Sequence, residues 1–167
     1  TVVYEICEVG ANPINCDTAT AIVLVENVID AVDDDYTATP LTSNDTTPSV
    51  VLNDTLDGQP VVIGTNPGEV TLTGVTVPTE LTLNPDGTIT VNPNTPSGTY
   101  TVVYEICENG ANPANCDSAV ATILVENTID AIADDYTGTP LSSNDATPSV
   151  VANDTLDGQP VVIGTNP

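Results

Sequence analysis

The chain repeats itself with a period of 100 residues, and this period limits its possible folds more than any other feature. Residues 1–67 and 101–167 align without a gap, and 13 of the 67 aligned positions differ. A period this long is that of a whole small domain, because solenoid repeats span only about 20–45 residues. A unit of about a hundred residues can bury a core of its own. We therefore expect a complete unit at residues 31–130, between the C-terminal part of a preceding unit (1–30) and the N-terminal part of a following one (131–167).

The charge of the chain excludes several classes of function. There are 24 Asp and Glu residues and no Lys, Arg or His. Nucleic-acid binding is excluded because phosphate contacts rest largely on Lys and Arg. An anionic membrane surface would repel the chain, and no apolar run is long enough to span a membrane, so no direct membrane insertion is expected. No signal peptide is present in this stretch. Cations must neutralise the acids, since the chain has no basic side chains.

The apolar residues predict an all-β protein. They make up 40% of the chain, and with Thr they favour β-strands over helices. Turn residues separate short apolar segments at regular spacing, and seven or eight such segments in about a hundred residues are typical of an immunoglobulin-like Greek-key β-sandwich. We therefore predict tandem sandwich repeats, with strands in the complete unit at Tyr36–Thr39, Ser49–Leu52, Pro60–Gly64, Glu69–Val77, Glu80–Leu83, Thr88–Val91, Thr99–Cys107 and Cys116–Val125.

The last two predicted strands show the clearest alternation. Side chains two positions apart lie on the same face of a strand. The predicted buried face therefore carries Tyr100, Val102, Tyr104 and Ile106 on one strand and Ala121, Ile123 and Val125 on the next. A tight hairpin is expected at Pro85-Asp86-Gly87, between the segments LTLN and TITV.

The cysteines occur in two pairs, each at the neck of a predicted hairpin. Cys7 and Cys16 flank one loop, and Cys107 and Cys116 flank its copy. A disulfide across each neck is the preferred interpretation, and it would indicate export to an oxidising compartment. Two buried free thiols are the alternative. A zinc site is a poorer one, because no His and no second close pair is available.

Acidic loops near the predicted unit boundaries suggest calcium. The ion takes six to eight oxygens from carboxylates, amide side chains, backbone carbonyls and water. Two such loops at one end of a sandwich could supply them, with Glu26 and Asn27, or Glu126 and Asn127, adding ligands across the junction. The alternative is a solvated acidic surface with Asx turns. The candidate ligands are Asp33, Asp34, Asp35, Asn53, Asp54 and Asp57, and in the next copy Asp134, Asp135, Asn153, Asp154 and Asp157.

The order of these motifs resembles a known group of repeats. DDDYTATP, NDTLDGQPV, LTLNPDGTITVNP, GTYTVVYEICE and NCDSAVATILVEN follow one another as in the repeats of giant secreted surface proteins of Bacteroidota. Those proteins are gliding-motility adhesin-like and are exported by the type IX system. The chain is also similar to bacterial cadherin-like repeats with a calcium-binding acidic loop. The resemblance implies a surface-anchored adhesive fibre and calcium ligation by Asp34, Asp35, Asn53, Asp54 and Asp57.

The same resemblance implies sugar attachment. Bacteroidota often O-glycosylate a Thr or Ser that follows Asp and precedes a small or aliphatic residue. Four positions match this pattern: Thr18, Thr55, Ser118 and Thr155.

Two classes of function remain after these exclusions, and an enzyme is not expected. There is no His or Lys to act as a base for a nucleophile, although carboxylate-only chemistry such as glycoside hydrolysis is formally possible. The leading hypothesis is a structural repeat of an extracellular cell-surface filament or adhesin stalk, whose partners are neighbouring repeats or copies of itself. The alternative is an adhesin module that binds a glycan or protein receptor. Loops that repeat almost unchanged and contain no Trp or Phe favour the stalk.

Overall fold

The computed structural model describes residues 1–164, which form an all-β protein. Within that range there are fourteen strands, and five of them are longer than five residues. The strands are β1 (Val2–Cys7), β2 (Cys16–Ala21), β3 (Ile29–Asp30), β4 (Asp34–Asp35), β5 (Thr55–Leu56), β6 (Gln59–Pro60), β7 (Val70–Thr76), β8 (Leu81–Leu83), β9 (Ile89–Val91), β10 (Gly98–Glu108), β11 (Cys116–Val125), β12 (Ile129–Asp130), β13 (Thr155–Leu156) and β14 (Gln159–Pro160).

The largest sheet has the order β4-β11-β10-β7. Strands β10 and β11 form a long antiparallel hairpin, and β7 joins the free edge of β10 in antiparallel orientation. Strand β4 pairs with β11 in parallel orientation, with Asp34 opposite Ala121 and Asp35 opposite Thr122. The edge contact continues beyond β4, because Leu41 N donates a hydrogen bond to Leu124 O over 2.9 Å.

Smaller sheets complete the unit. Strands β8 and β9 form a hairpin, and a bridge between Thr46 and Thr90 adds a third segment beside β9. At the turn of this hairpin Asn84 N donates a hydrogen bond to Thr88 O, and Gly87 has a φ of 84°, which suits glycine because it lacks a Cβ. Strands β3, β5 and β6 form a three-stranded sheet, and β12, β13 and β14 repeat this arrangement 100 residues later.

The core lies between the hairpin β10–β11 and the segments that precede it in the same unit. One face of the hairpin is fully buried, as the alternation predicts, although Tyr100 is only partly buried. The opposite side of the core comes from the loop after β4 and from strands β8 and β9, while β7 extends the sheet of the hairpin and contributes Val70. The buried residues of this core are Val50, Val51, Val70, Leu81, Ile89, Val91, Val102, Tyr104, Ile106, Ala119, Ala121, Ile123 and Val125.

Among residues 1–164, the counterparts of this core near the two ends are exposed. Strands β1 and β2 form the same disulfide-closed hairpin as β10 and β11, yet every residue in them is exposed. Tyr4 is 49% exposed, whereas its counterpart Tyr104 is fully buried. Near the other end, Val150 is 57% exposed while its counterpart Val50 is fully buried.

The predicted strands of the second half of the unit are confirmed to within two residues. These are the segments that became β7 to β11. Three predictions in the first half are wrong. Tyr36–Thr39 follows the two-residue strand β4 as a turn, Ser49–Leu52 is a buried turn, and Pro60–Gly64 contributes only its first residue to β6. Apolar residues in a tight turn and in a strand give the same short pattern, which explains these errors.

Candidate functional site at the unit junction

The disulfides close the two long hairpins. The structure pairs Cys7 with Cys16 and Cys107 with Cys116, as predicted, and leaves no free cysteine in the described residues. In both hairpins the two cysteines are directly opposite each other as the last residue pair of the ladder.

A Glu–Asn pair stands directly beyond each disulfide. Glu108 follows Cys107 and Asn115 precedes Cys116, and Asn115 Nδ2 donates to Glu108 Oε2 over 2.9 Å. Their backbones are joined as well, since Glu108 N donates to Asn115 O over 2.9 Å. Asn15 and Glu8 make both bonds in the first hairpin at 2.9 Å and 2.8 Å.

Asn27 connects the end of the preceding unit to this pair. Its Nδ2 donates to Glu108 Oε1, and its backbone oxygen accepts a hydrogen bond of 3.0 Å from Asn115 Nδ2. The next residue, Val28, is bound to the unit that follows, because Val28 N donates to Asp57 Oδ1 and Asp57 N donates to Val28 O. Strand β2 ends at Ala21 and β3 begins at Ile29, so residues 22–28 lie between the hairpin ladder and the first sheet of the next unit, and Asn27 and Val28 at the end of this segment are held by these bonds.

A buried polar cluster lies behind the junction, with the hydroxyl of Tyr104 at its centre. Five oxygens lie 3.0–3.3 Å from this hydroxyl: the carbonyl oxygens of Val32 and Val50, one carboxylate oxygen of Asp34 and both of Asp54. Asp54 is 1% exposed and also accepts a hydrogen bond of 2.8 Å from Val32 N. The hydroxyl has a single proton, so it cannot donate to all five oxygens.

Burial raises the pKa of both carboxyl groups in this cluster. Burial raises the pKa of Asp34 from 3.8 to about 6, and the charge of Asp54 acts in the same direction. Hydrogen bonds from Tyr104, Tyr36 and Asn53 lower it by less. Burial also raises the pKa of Asp54, with smaller contributions from the charges of Asp30 and Asp117. The phenol groups of Tyr36 and Tyr104 stay neutral, because burial and these carboxylates raise their pKa.

Asp33, Asp35 and Asp57, three other predicted calcium ligands of the complete unit, make hydrogen bonds outside this cluster, whereas Asn53 lies beside it and hydrogen-bonds Asp34. Asp33 Oδ1 accepts from Val120 N, Asp35 Oδ1 accepts from Thr37 N, and Asp57 Oδ1 accepts from Val28 N. Asn53 points its amide nitrogen at the carbonyl oxygens of Val32 and Asp33. These side chains fix loops and strand ends, as Asx turns and caps do.

The C-terminal copy has the same local bonds. Asp135 Oδ1 accepts from Thr137 N, Asp154 Oδ1 from Ile132 N, and Asp157 Oδ1 from Thr128 N. Asn153 Nδ2 donates to Ile132 O over 3.5 Å. The fifth predicted ligand of this copy, Asp134, hydrogen-bonds Tyr136. Ala133 stands where the first copy has Asp33, so the counterpart of that bond to the hairpin is missing.

The structure brings only some of the predicted calcium ligands together. Of these ligands, only Asp34 and Asp54 contact the Tyr104 hydroxyl. Their two carboxylates and the carbonyls of Val32 and Val50 hold six oxygen atoms, and calcium takes six to eight, some of which water can supply. Among residues 1–164, the groups of three close metal-binding side chains are Glu5 with Cys7 and Cys16, and Glu105 with Cys107 and Cys116. Their sulfurs are used in disulfides, so they offer no thiolate. Calcium binding stays a prediction.

The four predicted glycosylation positions differ in access. Thr18 and Ser118 are exposed on the outer face of the two hairpins. Thr55 and Thr155 are partly buried, and each lies in the middle strand of a small three-stranded sheet. A sugar would therefore be accommodated more easily on the hairpins.

Two parts of this site were not recognised from the sequence. Tyr104 was assigned to the core from its alternation, without its polar partners. The Glu–Asn pair beyond each disulfide was not singled out, although Glu8 and Asn15 recur as Glu108 and Asn115. The signal was a charged and an amide residue kept in both copies directly beyond the cysteines.

The chain was compared with known proteins. No protein-family model, no curated protein and no solved structure matches it. Within the described residues, no helix is long and apolar enough to cross a membrane.

Proposed function

We propose that this chain is a structural repeat segment of an extracellular filament or adhesin stalk. The observation that carries the proposal is the junction at Asn27. Its side chain and backbone bind the Glu108–Asn115 pair of the next unit, and Val28 exchanges hydrogen bonds with Asp57 directly before β3 begins at Ile29. Units joined in this way form a stiff chain, because a hinge needs residues that are free to change their backbone angles.

The fold proposed for each unit is an immunoglobulin-like Greek-key sandwich. In support, the first strand of the main sheet, β4, pairs in parallel with the last strand, β11, while β8 and β9 belong to the opposite side of the core. Tyr100 lies near the start of β10, and its hydroxyl donates to Pro96 O over 2.8 Å. This bond resembles the tyrosine corner of immunoglobulin-like domains, in which a Tyr hydroxyl binds the backbone a few residues upstream.

The extracellular location is supported by the two disulfides, which persist in oxidising compartments. A net charge of −24 keeps neighbouring stalks apart at low ionic strength and keeps the chain soluble. Both properties suit a protein that is exposed on a cell surface.

Electron microscopy tests the proposed function. A protein with several copies of residues 28–127 in tandem should form straight rods in negative stain. Strands of ten residues at about 3.3 Å each predict an axial repeat on the order of 40 Å. Beads separated by flexible gaps, with variable spacing, would contradict the proposal.

A further inference from the structure

We propose that the free edge of strand β7 pairs with the same edge of a second copy of this chain, in antiparallel orientation. The contact surface, called the open edge below, consists of residues 71–75. All of them belong to the complete unit. The pairing itself needs only this unit, and its consequence for stalks rests on the proposed function.

The hydrogen bonds of β7 show which of its backbone groups are free. Opposed residues in an antiparallel ladder alternate between hydrogen-bonded and non-bonded pairs. Asn109 N donates to Glu69 O over 2.9 Å, and the register continues without a shift through Thr71 and Thr73. By this alternation Thr71 and Thr73 bond to β10, and the residues between them turn their N–H and C=O groups away from β10.

Three residues face this other side, and the chain satisfies the first of them. Val70 N donates to Val62 O over 2.9 Å, and Gly64 N donates to Val70 O over 3.0 Å. Beyond that bridge, residues 1–164 supply no strand to Leu72 and Gly74. An edge strand with free N–H and C=O groups is a template for pairing with another chain.

An apolar groove lies beside the open edge, between β7 and β8. A Cβ on Gly74 would be 2.7 Å from Val77 Cγ2 and 3.5 Å from Leu83 Cδ2, so these two side chains cover the glycine. Val77 is still 37% exposed and Val75 is 58% exposed. An added strand with an apolar side chain turned toward the groove would cover this surface. The apolar lining consists of Leu72, Gly74, Val77, Leu81, Leu83 and Pro85.

The open edge is complementary to itself. In an antiparallel pair centred on Thr73, Leu72 of each copy is opposite Gly74 of the other. This is the register in which both free residues of both copies are paired, and it forms four backbone hydrogen bonds. Opposed residues carry their side chains on the same face of a sheet. Each Leu72 therefore enters the groove of the other copy, where it lies against Val77 and Leu83.

The distribution of charge leaves this side of the unit open to a second copy. Residues 58–104 carry only three of the 24 acidic side chains. Glu105 on β10 is opposite Thr73, so the two Glu105 residues of a pair are three strand spacings apart. That distance is about 14 Å, which exceeds the screening length of about 8 Å at physiological ionic strength. Two copies can therefore meet along this edge with few acids between them.

The symmetry of the contact sets the relative direction of two stalks. Hairpin β10–β11 extends from one junction to the next, since Asn115 at its tip binds Asn27 and β11 ends two residues before Asn127. Strand β7 is antiparallel to β10 and runs along the same axis. Antiparallel pairing of two β7 strands therefore joins stalks that point in opposite directions, as stalks from two facing cells do. A repeat of 100 residues offers the same contact in every unit, and many weak contacts add up to a firm one.

The first test measures association of the 167-residue chain. Sedimentation velocity over a hundredfold range of concentration, in 0.15 M and 0.5 M NaCl, should show a dimer that increases with concentration and salt. Thr73→Glu places two like charges about 5 Å apart at the symmetry axis and should weaken association at least about tenfold. Thr101→Glu is the matched control. Thr101 is exposed on the part of β10 that does not pair with β7, so this variant should associate like the parent chain.

The second test measures the register. Thr73→Cys should form a symmetric disulfide dimer on mild oxidation, with the link at position 73 identified by peptide mapping. The disulfide between Cys107 and Cys116 shows that directly opposed residues of a ladder can be joined in this way. Thr101→Cys is the control and should dimerise more slowly, because its two copies lie on opposite sides of the symmetry axis.

The third test measures direction. Proteins with several copies of residues 28–127 in tandem, labelled with gold at the N-terminus, should form laterally paired rods in negative stain. The two labels of a pair should lie at opposite ends. The same protein with Thr73→Glu in every copy should form single rods.

Three results would overturn the inference. One is a parent chain that stays monomeric at every concentration and salt level. Another is a Thr73→Glu chain that associates as strongly as Thr101→Glu, which would assign association to a different surface. The third is paired rods with both labels at the same end. Single rods together with a monomeric chain would remove this contact and leave the proposed function intact. Absent rods would remove the proposed function, while association of the 167-residue chain would still test the open edge.

Discussion

The hydroxyl group of Tyr104 lies 3.2 Å from each carboxylate oxygen of Asp54, and both side chains are buried inside the complete unit. Asp34 contacts the same hydroxyl, so one proton is shared between two acidic groups. The hydroxyl comes from the long hairpin, and the carboxylates come from strand β4 and from the loop before β5. This cluster therefore ties the irregular first half of the unit to its regular second half.

The phenol proton of Tyr104 should contribute measurably to stability. We predict that Tyr104→Phe lowers the free energy of unfolding by about 1–3 kcal/mol, because Asp34 and Asp54 lose their shared donor while remaining desolvated. Denaturant unfolding measures this change. The matched control is Tyr4→Phe. Tyr4, the counterpart of Tyr104, is about half exposed, so this substitution should change the free energy of unfolding by less than about 0.5 kcal/mol. Equal effects of the two substitutions would show that the cluster does not stabilise the unit.

The raised pKa of Asp34 predicts a dependence of stability on pH. Its folded-state pKa of about 6 lies above the ordinary value of 3.8, so between these values the folded state holds a proton that the unfolded state releases. The stabilisation that Asp34 contributes is therefore fully present below about pH 4 and is lost as the pH rises through about 6. Exposed groups with lowered pKa, such as Asp35, act in the opposite direction below pH 4.

The Asp34→Asn variant isolates this effect. An amide imitates the protonated carboxyl, so thermal unfolding of the variant should depend less on pH between 4 and 6 than that of the parent chain. Asp134→Asn is the control, because its copy of the cluster lacks the covering hairpin. If the parent chain and Asp34→Asn show the same pH profile, the cluster does not titrate as described.

The disulfide at the neck of the complete unit should stabilise it, whereas its copy should not. Closing a loop of about ten residues contributes about 2.7 kcal/mol on the chain-entropy model. We predict a loss of about 2–3 kcal/mol for the double variant Cys107→Ser, Cys116→Ser, measured on the main unfolding transition. The double variant Cys7→Ser, Cys16→Ser should leave that transition unchanged, since the hairpin β1–β2 is exposed throughout.

Local signals in the sequence were enough to predict the long hairpins, the disulfides at their necks and strands β7 to β9. Alternating apolar residues fixed the buried face of β10 and β11. The first half of the unit lacks such signals. Its strands β3 to β6 are two residues long, and loops between them are held by single side chains such as Asp33 and Asp54. Which backbone group such an acid binds depends on tertiary contacts that no local pattern encodes.

Calcium binding remains a prediction of the acidic loops and the resemblance. If an ion joins Asp34 and Asp54, we expect millimolar CaCl2 to raise the unfolding temperature more than NaCl of the same ionic strength. Asp34→Asn should remove this calcium-specific increment, and Asp134→Asn should retain it. Equal increases in the two salts would indicate ordinary screening of the 24 acidic side chains.

The bond between Asn27 and Glu108 should restrain the hairpin of the preceding unit. We predict that Asn27→Ala weakens the junction by about 1–2 kcal/mol, which corresponds to a five- to thirtyfold increase in the open population. Hydrogen exchange of the Val28 amide, which donates to Asp57 Oδ1 at the junction, measures this population, because an amide must leave its hydrogen bond to exchange. Glu108→Gln keeps an oxygen that accepts the bond and should exchange at close to the parental rate, whereas Glu108→Ala should resemble Asn27→Ala. Parental rates in both alanine variants would mean that the side chain of Asn27 does not hold the junction, and that the backbone pairing of Val28 with Asp57 suffices.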